Sequence, residues 1–212
     1  MNKNKPNNLK GIVIALKANF LIVDIDYEQF SCDLSSEKLR LLCTRRSKLN
    51  FQGLFIDVGD VVFVESIDYK NKRAVIYKVE SRKSFLKRPA VANVTLVSIC
   101  ISVEEPLFDM EQTSRFLLTA ECANIQPLIV LTKTDLLKKN DLILYINKFK
   151  NWGYDCIPVS IKNSQGIDKL IARFKKTQLT VLAGPSGVGK TSLINQLIPT
   201  VSLPISSVSK KL

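Results

Sequence analysis

Residues 184–191 read "GPSGVGKT" and match G-x-x-x-x-G-K-[ST], the pattern of a loop that surrounds nucleotide phosphates. The preceding "LTVLAG" predicts a strand and the following "KTSLINQLI" predicts a helix, which is the context that such a loop requires. The alternative is an ordinary glycine-rich turn between a strand and a helix, and the two flanking elements make it the weaker interpretation. The sequence therefore predicts a phosphate-binding site at the start of a helix.

Each part of this loop has an expected role. Gly184, Gly187 and Gly189 let the backbone curl so that several N–H groups point inward. Lys190 can reach the β- and γ-phosphates, and the Thr191 hydroxyl is placed to ligate Mg²⁺, so these two are the candidate catalytic residues. The candidate phosphate-binding residues are Gly184, Pro185, Ser186, Gly187, Val188, Gly189, Lys190, Thr191 and Ser192.

A second motif, "LIVLTKTDLL", predicts which base is bound. Asp135, at the end of a buried parallel strand, can accept hydrogen bonds from the two donors on the guanine edge, a pair that adenine lacks. The stem of Lys133 can lie along the purine face, and Thr132 can tie this loop to the phosphate loop. We therefore predict a base-reading loop made of Thr132, Lys133, Thr134 and Asp135, although T-K-x-D alone reads equally well as a polar turn with a helix cap.

A third segment, "CIPVSIKNSQGIDKL", follows the next predicted strand. Its residues Ser160, Ile161 and Lys162 come where a backbone N–H can meet the guanine carbonyl. Two weak signals on successive strand ends reinforce each other, and together they favour a guanine nucleotide.

Two domains are predicted from the change of pattern along the chain. Short, turn-punctuated β segments from Gly11 to about Glu80 read as about five strands of a small closed barrel, with "SSEKLRLLCTRRSKLN" as a long basic loop. Strands then alternate with helices, which indicates a parallel sheet covered on both faces. We place an oligonucleotide-binding barrel in residues 1–85 and an α/β domain in residues 86–212.

The charge balance favours a polyanionic partner. Lys and Arg number 31 against 19 Asp and Glu, which gives +12, although a solvated basic surface explains the same excess. The candidate RNA-binding residues are Arg45, Arg46, Arg82, Lys83, Lys87 and Arg88. Tyr27, Phe30 and Phe51 are available for base stacking, or they fill the barrel.

Composition argues against several other kinds of site and of partner. No histidine is present, so no histidine base or ligand acts within these residues. The five cysteines lie far apart with no C-x-x-C pair, which indicates neither a disulfide framework nor a zinc site, and a reducing cytoplasm fits best. No apolar run reaches the roughly 18 residues that suggest a membrane span, so no membrane partner is expected.

The base-reading motifs at 132–135 and 160–162 precede the phosphate loop at 184–191, whereas in Ras-like GTPases they follow it. With the barrel in front, "KRPAVANVTLVSICIS" at the junction and "SQGIDKL" later, the sequence resembles the circularly permuted RsgA (YjeQ, YloQ) family of ribosome-biogenesis GTPases, from about Gly11 to Leu212. Thr132 stands where Asn is commoner.

The resemblance implies a cytoplasmic, monomeric GTPase that binds GTP and GDP with Mg²⁺, contacts 16S-type rRNA and acts in late maturation of the small (30S) ribosomal subunit. It also implies switch I, a D-x-x-G switch II and a C-terminal zinc domain after the segment that ends at "SVSKKL". We therefore expect an incomplete GTPase domain without the zinc ligands, which binds nucleotide but hydrolyses it poorly.

Two other functions remain open from the residues alone. "GPSGVGK" also resembles the loop of guanylate-type nucleotide kinases, which need an acceptor domain and a lid after it. An RNA-binding module with a vestigial nucleotide site is the other. The sequence leaves open the rRNA helices contacted, the maturation step, the hydrolytic competence, the oligomeric state and whether the chain is a fragment.

Overall fold

The computed structural model describes residues 8–25, 39–47, 55–201 and 203–204. The chain divides into two compact units, Met1–Asn93 and Val94–Leu212. The division lies eight residues after the predicted boundary, because the residues directly after 85 form a hairpin within the first unit. The assignment of an RNA-binding domain to 1–85 and a permuted GTPase domain to 86–212 stays a prediction.

Five strands of the first unit close into the predicted barrel, in the order β1-β2-β3-β5-β4. All neighbours are antiparallel except β3 and β5, which run parallel. A short hairpin of β6 and β7 follows. The strands are β1 Leu9–Lys17, β2 Phe20–Ile25, β3 Arg40–Arg45, β4 Val61–Asp68, β5 Arg73–Val79, β6 Phe85–Lys87 and β7 Ala90–Ala92.

The barrel forms because its strands alternate between apolar and polar positions. In β1 and β2, Val13, Leu21 and Val23 point inward and are fully buried. The residues between them along each strand are more exposed, so one face of every strand fills the core.

Strand β3, with the sequence "RLLCTR", lies where the sequence predicts a long basic loop, so that prediction is wrong for these six residues. Leu41 and Cys43 alternate inward and are fully buried, while the arginines stand at the two ends of the strand. The basic residues around it hide this two-residue period in the sequence. The three candidates for base stacking, Tyr27, Phe30 and Phe51, lie outside the described residues.

The second unit contains a parallel four-stranded sheet in the order β10-β9-β8-β11, which confirms the predicted α/β architecture. Every residue of β8 is buried, as expected for a central strand covered on both faces. The elements are β8 Leu96–Ile101, α1 Met110–Cys122, β9 Gln126–Leu131, a 3₁₀ turn Thr134–Leu136, α2 Lys139–Asn151, β10 Cys156–Pro158, α3 Ile167–Phe174, β11 Thr180–Ala183 and α4 Lys190–Leu197.

One apolar cluster packs α3 and α4 against this sheet. Leu96 and Cys100 of β8 lie in it with Leu170 of α3 and Leu193 of α4, all fully buried. The cluster holds the first turn of α4, and therefore the phosphate loop, on the central strand. Among the helices of the described residues, none is long and apolar enough to cross a membrane.

Candidate nucleotide-binding site

The parallel sheet brings the ends of its strands together at one edge, which is where ligands bind in open α/β folds. The loops after β8, β9, β10 and β11 all leave from this edge. The predicted phosphate-binding and base-reading residues lie on the last three of these loops. Chain order has no bearing on this arrangement, so motifs in permuted order can build one site.

The phosphate loop has the backbone that its glycines allow. Gly184, Gly187 and Gly189 have φ of +136°, +83° and +91°, values that favour glycine. A Cβ at Gly184 would lie 2.1 Å from the carbonyl oxygen of Cys100, so the loop passes directly over β8. A Cβ at Gly189 would meet nothing within 4 Å, which leaves open space above the start of α4.

Lys190 is held across the loop by backbone groups. Its Nζ donates to the carbonyl of Gly184 at 2.8 Å and to that of Pro185 at 2.6 Å. Partial burial lowers the pKa of Lys190, because desolvation disfavours its charged form. The ammonium group is therefore directed over the concave side of the loop.

The remaining loop residues surround the helix start. Thr191 and Ser192 are half-buried in the first turn of α4, Val188 is buried, and Ser186 is exposed. The Thr191 hydroxyl is a hard oxygen of the kind that Mg²⁺ accepts, and Thr191 lies two residues after Gly189 in the first turn of α4. These residues fit a phosphate-bound magnesium ion.

Thr132 joins the base-reading loop to the phosphate loop, as the sequence predicted. Its hydroxyl lies 2.7 Å from the carbonyl oxygen of Val188 and 2.9 Å from that of Ile101, and its single hydrogen is shared between them. The Thr132 N–H donates to Ile101 as well, at 2.8 Å. All three residues are buried, so this contact is shielded from water.

Asp135 lies in the 3₁₀ turn that follows, and Ser160 orients its carboxylate. The Ser160 hydroxyl donates to Asp135 Oδ1 at 2.6 Å. This hydrogen bond lowers the pKa of Asp135, and the nearby charges of Lys162 and Lys133 lower it further. The carboxylate is thus ionised near neutral pH and can accept two hydrogen bonds from a base edge.

The loop after β10 is closed by its own hydrogen bonds. Ser160 and Gln165 exchange backbone hydrogen bonds at 3.0 and 2.9 Å, and the Ser160 hydroxyl also accepts from the Asn163 N–H at 3.2 Å. A Cβ at Gly166 would lie 2.0 Å from the Pro158 carbonyl oxygen, so this close turn requires glycine. Ile161 is half-buried and Lys162 is exposed at the tip.

Sequence reasoning missed two participants at this edge. Ser160 was assigned only a backbone role, whereas its side chain positions Asp135. The carbonyl of Glu105, on the loop after β8, accepts a hydrogen bond from Lys133 Nζ at 2.6 Å. A main-chain acceptor has no side-chain signature, so no sequence pattern could have identified Glu105.

The predicted RNA-binding residues of the first unit fall into two groups. Lys83, Lys87 and Arg88 are exposed on or beside the β6–β7 hairpin. Arg45 stands half-exposed at the end of β3, and Arg46 forms an ion pair with Glu65 at 3.3 Å.

Arg82 is engaged inside the first unit. Its guanidinium donates to both carboxylate oxygens of Asp60, at 2.8 and 2.7 Å, and to Asp57 at 2.8 Å. Asp60 is fully buried, and this pair raises the pKa of Arg82. A role for Arg82 on RNA stays a prediction, but the pair shows that the side chain has a structural role.

Within the described ranges, no group of three or more His, Cys, Asp or Glu side chains is placed to hold a metal ion. Burial raises the pKa of the thiols of Cys43, Cys100 and Cys156 to about 12. Those three thiols are therefore protonated near neutral pH.

Comparison with known proteins places the geometry in a family. Residues 79–212 match the RsgA GTPase family. The chain is 81% identical to the small ribosomal subunit biogenesis GTPase RsgA of Prochlorococcus marinus strain NATL1A, over 100% of this chain and 69% of that protein. It is 50% identical to the protein of the same name from another strain of that species, SARG, over 97% of this chain and 68% of that protein.

Two solved structures share the fold. The crystal structure of YjeQ from Thermotoga maritima matches with a TM-score of 0.78 and 31% identity, over 93% of this chain and 67% of that one. The structure of YloQ, described as a circularly permuted GTPase, matches with a TM-score of 0.74 and 29% identity, over 91% and 65%.

Proposed function

The chain belongs to the RsgA GTPase family, and we propose that the loops at the carboxyl edge of its parallel sheet bind GTP and GDP. The function is that of a GTPase in biogenesis of the small ribosomal subunit, because relatives at 81% and 50% identity carry this name. The nucleotide kinase and the RNA-binding module with a vestigial site find no support in these relatives.

The hydrogen bond between Thr132 and Val188 is the observation that carries the proposed site. It joins the base-reading loop to the phosphate loop, so the two loops are in direct contact at one edge of the sheet. We therefore assign the base to Thr132–Asp135 and the turn at 160–162, and the phosphates to residues 184–192.

Guanine selectivity rests on Asp135 in this proposal. An ionised carboxylate accepts from the N1–H and the exocyclic amine of guanine, whereas adenine presents one acceptor and one donor there. Ser160 supports this role, because its hydroxyl holds one carboxylate oxygen and leaves the carboxylate ionised.

Hydrolysis of the γ-phosphate requires neutralisation of charge on the phosphate oxygens. Lys190 and the loop amides supply fixed positive charge and dipoles for this purpose. Thr191 would hold Mg²⁺, which supplies further charge neutralisation when bound. The Gly184 and Pro185 carbonyls already hold Lys190 Nζ at the loop before any nucleotide binds.

We also propose that the barrel unit binds rRNA through phosphate contacts. The exposed cations on the β6–β7 hairpin, Lys87 and Arg88, and the adjacent Lys83 support this. Arg45 and Arg46 are further candidates at the end of β3. A monomeric protein in the cytoplasm fits this role.

One expectation about catalysis remains a proposal. The weak hydrolysis expected of residues 1–212 alone is tested by single-turnover GTP hydrolysis with and without small ribosomal subunits, and clear stimulation would contradict it. A zinc ion is not proposed for these residues, whose described side chains do not fit one.

Calorimetric titration of the chain with GTP, GDP, ATP and XTP tests the proposed site. GTP and GDP should bind and ATP should not. Asp135→Asn should weaken GTP binding by about 1–3 kcal/mol and improve XTP binding, because the amide suits the exchanged edge of xanthine. Equal affinity of the parent chain for ATP and GTP would overturn the assignment of Asp135.

A further inference from the structure

The loop after β8 is built as a closed turn that ends on the base-reading loop. Over residues 102–108, the Glu105 N–H donates to the buried Ser102 hydroxyl at 3.2 Å, and the Phe108 N–H donates to the Val103 carbonyl at 3.0 Å. At the next residue, Asp109 caps α1 by accepting from the Gln112 N–H at 3.0 Å. The 102–108 turn is therefore fixed at both ends, to β8 and to α1.

The 102–108 turn holds the ammonium end of the Lys133 side chain. Lys133 Nζ donates to the Glu105 carbonyl at 2.6 Å, while the Lys133 backbone has φ of +53°, a conformation uncommon outside glycine. A free lysine side chain has about 2 kcal/mol of rotamer entropy to lose. Since both ends of this one are held, its aliphatic stem is ordered before any base arrives.

Phe108 fixes the turn against α2. Its ring packs edge to face on Tyr145 and on Phe149, with centroids 5.6 and 5.9 Å apart. Phe149 is fully buried, so this contact is part of the core. The helix α2 begins at Lys139, three residues after the 3₁₀ turn that contains Asp135. A continuous set of contacts therefore links Lys133 to Glu105 and, through Phe108, to α2. The chain itself joins α2 to the 3₁₀ turn that contains Asp135.

We propose that Phe108 is a positioning residue for nucleotide binding, which acts by holding the Glu105 carbonyl against Lys133. This inference rests on the proposed guanine site. Phe108 has no predicted contact with the nucleotide. It nevertheless contributes to the affinity for the base, and it does so only by ordering the Lys133 stem.

A double-mutant cycle on GDP affinity is the test, because it isolates the coupling between two positions. Phe108→Leu keeps an apolar side chain but removes the edge-to-face packing, and it should weaken GDP binding on the order of tenfold by releasing the lysine rotamers. Lys133→Ala should weaken it at least as much. In the Lys133→Ala background, Phe108→Leu should cause no further loss.

Two matched variants separate positioning from general loosening. Trp152→Leu removes a ring from the same cluster, where Trp152 packs on Phe149 at 5.5 Å, and GDP affinity should stay within about twofold of the parent. Phe108→Tyr keeps the packing and should also stay within about twofold. If Phe108→Leu does not fold, Ser102→Ala replaces it in the cycle, because Ser102 holds Glu105 from the other side.

The outcomes are distinct. Additive losses in the cycle, or a loss for Trp152→Leu equal to that for Phe108→Leu, would overturn the positioning role and leave the nucleotide site intact. Failure of the folded parent chain to bind GDP would overturn the proposed site, and the inference with it.

Discussion

The Thr132 hydroxyl contacts the Val188 carbonyl at 2.7 Å, across 56 residues of sequence. Val188 lies in the phosphate loop and Thr132 in the base-reading loop, so one hydrogen bond couples the two halves of a site whose motifs occur in permuted order. Because both residues are buried, loss of the donor would leave the Val188 carbonyl without water to replace it.

Thr132→Val should therefore destabilise the second unit by about 1–3 kcal/mol and weaken GDP binding, because the phosphate loop loses its tie. Thr132→Asn restores a donor and should recover most of the affinity. Urea unfolding and calorimetry measure the two effects. Equal behaviour of Thr132→Val and Thr132→Asn would show that the hydroxyl contact does not matter.

Acid should weaken GDP binding only at low pH. The Ser160 hydrogen bond holds the pKa of Asp135 below its ordinary value of about 3.9, so the carboxylate that reads guanine is present above that value and is lost as pH falls through the lowered pKa. Ser160→Ala removes the largest cause of the shift, and the decline of GDP affinity should begin at higher pH than in the parent.

Titration of GDP from about pH 7 down to about pH 3, past the ordinary carboxylate pKa, measures this difference. Lys162→Met is the matched control, because the Lys162 charge contributes less than the Ser160 hydrogen bond. It should move the onset of the decline less than Ser160→Ala does. An identical onset in parent and Ser160→Ala would contradict the orienting role of Ser160.

Much of this site could be predicted because its motifs stand at strand ends. The strand before residue 184 and the helix after 189 identify the phosphate loop, and the buried run before Thr132 places the base-reading loop at the same edge. The tie between Thr132 and the phosphate loop also followed from this arrangement.

Other parts could not be predicted, for physical reasons. The contact between Lys133 and Glu105 uses a backbone carbonyl, and such acceptors leave no mark in a sequence. The ion pair between Arg82 and Asp60 joins residues 22 apart, and charge alone gives no indication that an arginine has a buried partner. Strand β3 was hidden because its two buried positions lie among basic residues.

The hydroxyl of Ser98 should be dispensable for stability. Ser98 lies in the middle of β8, is fully buried, and its Oγ has no hydrogen-bond partner among the described residues. Ser98→Ala removes a polar group that contributes no bond, so the free energy of unfolding should stay equal or rise by about 1 kcal/mol. Urea unfolding of the parent and the variant measures it, and a loss above about 1 kcal/mol would mean that the hydroxyl is bonded.

Arg82 and the hairpin cations should have separable effects. Arg82→Met leaves the buried Asp60 carboxylate without its cation, and it should destabilise the barrel unit by about 3 kcal/mol, the low end for a broken buried pair, because Arg82 is partly exposed. Lys87→Glu with Arg88→Glu should leave the unfolding midpoint unchanged, since both side chains are exposed.

The RNA readout separates the two roles further. The double variant Lys87→Glu, Arg88→Glu should weaken rRNA binding. It should also reduce the salt dependence of that binding, by roughly 0.7–0.9 in log–log slope for each phosphate that the protein no longer neutralises. A phosphate-contacting surface on β6–β7 would be contradicted if rRNA binding did not depend on salt, or if the double variant left rRNA binding unchanged.

Two glycines of the phosphate loop should fail in different ways when replaced by alanine. At Gly184 the new Cβ would lie 2.1 Å from the Cys100 carbonyl oxygen, a backbone atom of the central strand that cannot move aside. Gly184→Ala should therefore lower the unfolding midpoint of the second unit markedly.

At Gly189 the new Cβ would meet no protein atom within 4 Å, so the cost is only that of its φ of +91°, about 1–3 kcal/mol. Gly189→Ala should then fold, yet bind GDP poorly, because its methyl group would project into the open space assigned to the phosphates. Circular dichroism with urea unfolding measures the first effect, and calorimetry with GDP measures the second. Parent-like GDP affinity in folded Gly189→Ala would show that the phosphates do not occupy that space, and parent-like stability in Gly184→Ala would contradict the close packing of the loop on β8.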